Sequence, residues 1–308
     1  MELRHLRYFL AVAEELNFTR AAERLGINQP PLSLQIRQLE KEIGAPLFRR
    51  KARGVELTNA GKLMLEEARV ILKQVEQAKT GVRRRGRGET GRINIGSSGG
   101  TYFHPLIPRI IREYRTHYPD VVLSPAAGST PLLVARLQAG QIDVAILRPP
   151  IGDHEDLALE PLVDEPAVIV VPGGHPLSAR TSAPLNALAE EALVLFPREL
   201  NPGNYDSIIA ACIRAGFRPK LGQEAPQVVA IMPMVAAGLG FSIVPRSLAR
   251  ICRDGVAHLS IEGDGPRALI SLAHRRDDRS PAVQNFVAVA RRVMRAAAHV
   301  ERAKVPQH

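Results

Sequence analysis

The chain has 308 residues, a net charge of +10 and a hydrophobic content of 45%. That length suffices for two or three domains with cores of their own, and that hydrophobic content excludes an intrinsically disordered chain. No apolar run approaches the ~20 residues that cross a bilayer, and Glu2, Arg4, Arg7, Glu14 and Glu15 break up the N-terminal run a signal peptide needs, so a cytoplasmic protein with no membrane partner is expected.

Charge is unevenly placed. Residues 1–92 hold 19 of the 41 Lys and Arg but only 11 of the 31 Asp and Glu. A basic head on a near-neutral remainder points to a polyanion as the partner of the head. Cys212 and Cys252 have no metal-ligand spacing around them and read as reduced thiols.

Residues 3–16 predict an amphipathic helix whose Leu6, Phe9, Leu10, Val12, Ala13 and Leu16 pack inward. The next stretch, FTRAAERLGINQPPLSLQIRQLEKEI over 18–43, reads as two short helices around a tight turn. Thr19 is expected to cap the first and Gly26 to end it. In the second, Leu32, Ile36, Leu39 and Ile43 form the buried stripe, and Pro30 and Pro31 sit in the first turn, where proline is tolerated. The opposite side carries Leu34, Arg37, Gln38 and Lys41, with Ser33 on the flank and Gln29 at the start. Such a face suits the major groove: forks and amides for base edges, cations for phosphates, an apolar tip for a thymine methyl.

Leu47-Phe48 and Val55-Glu56-Leu57 then predict two short strands around a basic tip of Arg49, Arg50, Lys51 and Arg53, bent at Gly54. Together with the three helices this is an all-α winged helix-turn-helix, with the wing placed to touch phosphates. Thr58 is expected to cap a long helix over 59–84. There Met64, Ala68, Ile71, Val75, Ala78 and Val82 make a heptad seam, widened by Leu65 and Leu72, which predicts dimerisation. The helix gives way to RRRGRGETG at 83–91, read as a flexible hinge and domain boundary.

The stretches ELRHLRYFLAVAEELNFTRAAERLGINQPPLSLQIRQLEKEIGAPLFRR and GVELTNAGKLML closely resemble the N-terminal region of LysR-type transcriptional regulators. The resemblance implies a bacterial regulator that binds double-stranded promoter or operator DNA as a dimer or tetramer, with RNA polymerase as a further partner. Carried over by position, Gln29, Pro30, Ser33, Leu34 and Arg37 face bases or adjacent phosphates. Leu34 departs from the polar or basic side chain common there, which favours contact with a methyl group. The whole DNA-binding set expected is Thr19, Gln29, Pro30, Ser33, Leu34, Arg37, Gln38 and Lys41, with Arg50, Lys51 and Arg53 from the wing.

From 92 onward strands and helices alternate, which predicts an α/β region with a mostly parallel sheet. Strands are expected at 92–96, 121–126, 143–148, in LALEPLV and PAVIVV, and at 193–196, 220–224, 241–245, 256–261 and 268–274. Helices are expected at 105–117, 130–139, 184–190, 203–215, 226–238 and 281–300. YPDVVLS and GQIDVAILRPP resemble the same family's effector domain, which is similar to a periplasmic binding protein. That resemblance divides the chain into a head (1–58), a linker helix and hinge (59–91) and an effector domain (92–308). Within the last, lobe one takes 92–162 and 267–300, and lobe two takes 163–266.

The cleft between lobes is then the expected effector site. Strand ends that open into helix N-termini offer free N–H groups and a positive dipole end, which suits a small organic acid. Ser97, Ser98 and Thr101 line the first such turn, Gly128, Ser129 and Thr130 the second, and Arg148 ends the third strand. From lobe two, Phe196, Pro197, Asn201 and Asn204 lie where the family places cleft contacts. Each of these hydroxyls reads equally well as a helix cap.

Gly96-Ser97-Ser98-Gly99-Gly100 also fits G-x-S-x-G, but a hydrolase would need that serine activated by a histidine held by an acid. No metal-ligand cluster, Walker lysine loop or dinucleotide fingerprint is present, so neither a catalytic group nor a cofactor is expected. The sequence therefore predicts a sequence-specific, effector-responsive DNA-binding transcriptional regulator. A non-specific architectural DNA protein, or a solute-binding module with no role on DNA, are the other classes compatible with it.

Overall fold

The computed structural model describes residues 1–51, 54–251 and 253–303, with side chains to residue 299. The chain forms two compact units, residues 1–84 and 85–308. No helix among the described residues is long and apolar enough to cross a membrane.

The first unit opens with three helices, α1 (Leu3–Glu15), α2 (Phe18–Leu25) and α3 (Gln29–Ile43). Leu6, Phe9 and Val12 of α1, Ala21 and Ala22 of α2, and Leu32, Ile36 and Leu39 of α3 share one core. Leu16 and Ile43 do not join it. Each falls in the turn that ends its helix, and Leu16 adopts a left-handed conformation there, so both side chains face solvent. A two-stranded antiparallel wing follows, β1 (Phe48–Lys51) and β2 (Gly54–Leu57), paired from Phe48↔Leu57 to Lys51↔Gly54. Leu47 precedes the strand and plugs the core. Thr58 accepts the Gly61 N–H at 2.9 Å and so caps α4 (Asn59–Gly86), as its sequence position predicts. α4 presses so closely on the wing that a Cβ at Gly61 would lie 2.1 Å from the Leu47 carbonyl oxygen.

The expected hinge over 83–91 is shorter than its composition suggests. α4 stays helical to Gly86, and β3 (Thr90–Ser98) begins four residues later. Gly88 is buried against the backbone of Pro281 and Ala282, and Asn285 donates to the Arg87 carbonyl at 2.9 Å.

The second unit has two lobes. In lobe one the strand order is β4 (Asp120–Gly128), β3, β5 (Val144–Leu147), β12 (Arg267–Arg275) and the first half of β6 (Leu157–Pro172). Side chains alternate across this sheet as strand geometry requires. Val144, Ile146, Ile270 and Leu272 face α5 (Leu106–His117) and α10 (Pro281–Ala303), while Ala145, Leu147 and Ala273 face α6 (Thr130–Gln138). In lobe two the second half of β6 pairs with β10 (Ser242–Pro245) and β11 (Val256–Ile261), and β11 pairs with β7 (Ser182–Ala183). Ile169 and Val171 pack towards α7 (Pro202–Arg214), and Val168 and Val170 towards α8 (Ile231–Ala236) and α9 (Arg246–Ala249). A short parallel pair, β8 (Ala192–Leu193) and β9 (Lys220–Leu221), completes the lobe.

Several expectations are corrected. The sheet is mixed rather than mostly parallel: β3 pairs in parallel with β4 and β5, but β12, β10 and β11 all pair antiparallel to β6 or β5. The cause is β6 itself. LALEPLV and PAVIVV are one unbroken strand that serves both lobes, with Asp164, Glu165 and Pro166 at the crossing. The expected helices at 184–190 and 226–238 are a 3-10 turn (Leu185–Leu188) and a 3-10 turn running into six-residue α8, and α9 was not anticipated.

Candidate nucleic-acid interface and effector cleft

The turn between α2 and α3 is set by two caps. Asn17, not Thr19, caps α2: its side chain accepts the Thr19 and Arg20 N–H groups at 2.9 and 3.1 Å. Thr19 lies one residue inside the helix, and its hydroxyl is left at the surface. Gly26 ends α2 at φ +66, a conformation that costs other residues energy.

On α3, Gln29, Pro30, Leu34, Arg37, Gln38 and Lys41 are all exposed and Ser33 half-exposed. The polar groups already bond one another. Gln29 donates to Ser33 Oγ at 2.8 Å, and Gln35 donates to Gln38 Oε1 at 2.9 Å. Such bonds hold side chains in place before a partner arrives, which lowers the ordering cost of binding. Glu40 turns the other way and accepts the Leu47 and Phe48 N–H groups at 2.7 and 3.1 Å, so α3 fixes the start of the wing.

Arg49, Arg50 and Lys51 lie on the strand β1 rather than at a tip. Arg49 and Lys51 share a face with Glu56, at 3.7 and 2.6 Å. Lys51, by hydrogen bond and charge, holds the Glu56 carboxyl below its usual range. Arg50 lies between Arg49 and Lys51 on the strand and is exposed. Arg53 lies outside the described residues. Thr19, Gln29, Ser33, Arg37, Arg50 and Lys51 together line one groove of about 520 Å³ between helices and wing.

The seam on α4 divides in two. Ala68 is fully buried, and Met64, Leu65, Ile71 and Leu72 pack against the core of the same unit. Beyond them Val75 is half-buried, Ala78 exposed and Val82 73% exposed. The first half of the stripe thus closes the head's own core, and only the second half is left uncovered.

In lobe one, β3 and β4 end side by side, at Ser98 opposite Gly128. Ser97 Oγ lies 2.8 Å from Thr101 Oγ1, and the Thr101 hydroxyl is within 2.9 Å of the Ser98 carbonyl, so these two groups satisfy each other and the turn. Ser129 caps α6 through the Leu132 N–H at 3.3 Å. Ser98 and Thr130 differ. They are 1% and 3% exposed, and neither hydroxyl has a hydrogen-bond partner. No base activates Ser98, so the G-x-S-x-G match carries no hydrolase site. Tyr102, which the sequence does not single out, lies near Ser97. Burial raises its phenol pKa, and the Ser97 hydroxyl opposes that.

From lobe two, Asn201 caps α7 through the Asn204 N–H at 3.2 Å. Phe196 is a core residue with its ring edge towards Tyr205, and Pro197 and Asn204 stay partly exposed. Arg148 is 3% exposed and not free to clamp a ligand. One guanidinium nitrogen lies 3.6 Å from Glu165 and another 3.4 Å from the Leu269 carbonyl. Burial lowers its pKa and Glu165 opposes this. Glu165 in turn accepts the Ser247 N–H and hydroxyl at 2.8 and 2.7 Å. This chain of contacts ties β5, the crossing of β6 and α9 together. Glu165 and Ser247 could not be found in the sequence, because they meet across 82 positions.

A winged helix-turn-helix followed by a two-lobed α/β module defines a DNA-binding transcriptional regulator. Comparison with known proteins gives the family. Residues 3–62 match the model of the bacterial regulatory helix-turn-helix protein, lysR family, and residues 86–295 match the LysR substrate binding domain. The chain belongs to the LysR family. It is 38% identical over 287 residues to the HTH-type transcriptional regulator AlsR of Bacillus subtilis (strain 168), covering 93% of this chain and 94% of that one. The crystal structure of CbnR, a LysR family transcriptional regulator, superimposes with a TM-score of 0.85 at 31% identity, over 94% of this chain and 100% of that one. Full-length CbnR complexed with its target DNA gives 0.83 at 30% identity, over 96% and 100%. These matches are regulators rather than enzymes, and this chain is a DNA-binding regulator with a substrate-binding domain.

Proposed function

We propose that the exposed side of α3 enters the major groove and reads operator bases through Gln29, Ser33, Arg37 and Gln38, while Lys41, Arg50 and Lys51 hold adjacent phosphates. The observation that carries this is the convergence of Thr19, Gln29, Ser33, Arg37, Arg50 and Lys51 on one groove from α2, α3 and the wing. Leu34 and Pro30, both exposed, would meet apolar parts of the bases. Arg53 belongs to this set on its sequence position alone.

The effector in this reading is a small organic acid bound between the lobes. Ser98 and Thr130 are the first contacts, since a buried hydroxyl without a partner costs about 1–3 kcal/mol and a carboxylate oxygen would satisfy it. Thr130 also opens α6, whose dipole favours an anion. Ser97, Thr101, Gly128, Ser129, Phe196, Pro197, Asn201 and Asn204 shape the rest. No cofactor is required.

A second copy is proposed to cover Val75, Ala78 and Val82, giving a cytoplasmic dimer or tetramer that acts on RNA polymerase at a promoter. An acid that binds one arrangement of the lobes more tightly shifts the population of that arrangement. The shift changes how paired heads bend the DNA.

The test is a thermal-shift screen of the full chain against small aromatic and aliphatic acids. A ligand should raise the melting temperature in step with its concentration, and the double variant Ser98→Val, Thr130→Val should lose the rise. An undiminished rise in the variant contradicts the site.

A further inference from the structure

We infer that His5, a buried residue of α1, fixes which side of the Gln38 amide is offered to DNA and so helps set the base preference of α3. The inference rests on the placement of α3 proposed above.

His5 is 8% exposed. Its Nδ1 lies 3.2 Å from the Glu2 N–H and accepts from it. An imidazole nitrogen that accepts carries no proton, so the ring proton sits on Nε2. Nε2 faces Gln35 Oε1 at 3.0 Å. The His5 N–H therefore selects the oxygen of the Gln35 amide and turns its nitrogen the other way. That nitrogen donates to Gln38 Oε1 at 2.9 Å. Each step fixes the direction of the next. The Met1 ammonium, just before α1, also pairs with Glu42 of α3.

The consequence falls on Gln38, which is exposed on the flank of the DNA-facing side. A free glutamine reads adenine with both ends of its amide, accepting from N6 and donating to N7. The Gln35 bond takes one of the two lone pairs of Gln38 Oε1 and fixes the direction of the amide, leaving its NH2 group as the unengaged end. That orientation favours donation to guanine O6 or N7, or to thymine O4, over the two-ended pose on adenine. His5 is thus a positioning residue for specificity, acting through Gln35.

The experiment is selection of preferred sites from randomised duplexes at one salt concentration. It uses the full chain as wild type, His5→Phe, Gln35→Met, His5→Gln, Gln38→Ala and Arg37→Ala, with affinity for random DNA measured alongside. Gln38→Ala should flatten the preference at one base pair. His5→Phe and Gln35→Met should shift that same base pair towards adenine, by about two- to tenfold for one hydrogen bond, with random-DNA affinity at the wild-type value. His5→Gln, whose amide can donate to Gln35, should restore the wild-type preference. Unchanged profiles for His5→Phe and Gln35→Met beside a changed one for Gln38→Ala overturn the relay. So does a uniform weakening on all sequences. If Gln38→Ala and Arg37→Ala both leave every position unchanged, the placement of α3 itself is wrong. Should His5→Phe fail to fold, Gln35→Met decides alone, since Gln35 is only half-buried.

Discussion

Along α3, polar side chains face water and bond one another, Gln29 to Ser33 and Gln35 to Gln38. In lobe one, where β3 ends and α6 begins, Ser98 and Thr130 are shut away from water and bond nothing. In the proposed reading each set meets a partner, but by different physics. The α3 face is a surface whose groups are already arranged and still solvated, so it gives up little before it binds. The two buried hydroxyls carry a desolvation cost that a hydrogen-bonding ligand would relieve. A ligand for the lobes should therefore act on stability, whereas substitutions on α3 should act on recognition and leave stability alone.

The contrast is broken most severely at Glu165. Glu165→Ala leaves the Arg148 charge buried without its partner and the Ser247 N–H unsatisfied. Loss of one member of a buried pair costs about 3–5 kcal/mol, so chemical denaturation should show the second unit strongly weakened. An unchanged midpoint would mean that solvent already reaches Arg148. Next comes Arg37→Ala on the solvated face. It should relax preference at one base pair by about 1–3 kcal/mol, whereas Lys51→Ala should weaken all sequences alike and reduce the salt slope. Binding isotherms over a range of salt check both, and identical behaviour of the two variants would contradict the division of roles.

Gly61→Ala probes the core between α4 and the wing. Alanine is favoured over glycine inside a helix by about 1 kcal/mol. The added Cβ would lie 2.1 Å from a backbone oxygen that cannot step aside. Overpacking costs about 1–3 kcal/mol, so the first unit should lose stability, and calorimetry showing a gain would contradict the packing. The smallest effect is expected at Thr130→Val. Replacing an unpaired buried hydroxyl by a methyl of the same shape should be neutral or should stabilise the unliganded chain by up to about 1 kcal/mol. A clear loss of stability would mean that the hydroxyl has a partner.

The two units were also unequally legible. The α3 face could be read because a helix repeats every 3.6 residues, and Leu32, Ile36 and Leu39 fix which side is inward. The wing, the Thr58 cap and most strands of the second unit followed from equally local signals. What failed was decided by contacts distant in sequence. The half of the seam around Ala68 is taken by the chain's own core, since Phe9, Leu39 and Leu47 reach it. The arginine-rich hinge is cut short because α10, about 200 positions on, holds Gly88 and Arg87. Arg148, expected at the effector site, is held by Glu165, which also binds Ser247 from 82 positions away. Among the hydroxyls, sequence could not separate caps from open groups. Ser129 and Asn201 are caps, while Ser98 and Thr130 have nothing to cap.

The central claim is that the solvated side of α3 reads a DNA sequence. It is tested most directly by competing a selected operator against random duplex for the full chain at physiological salt. The operator should win by about a thousandfold or more, the range that separates specific from non-specific binding, and Arg37→Ala should narrow the margin. Equal affinity for both duplexes would contradict the account.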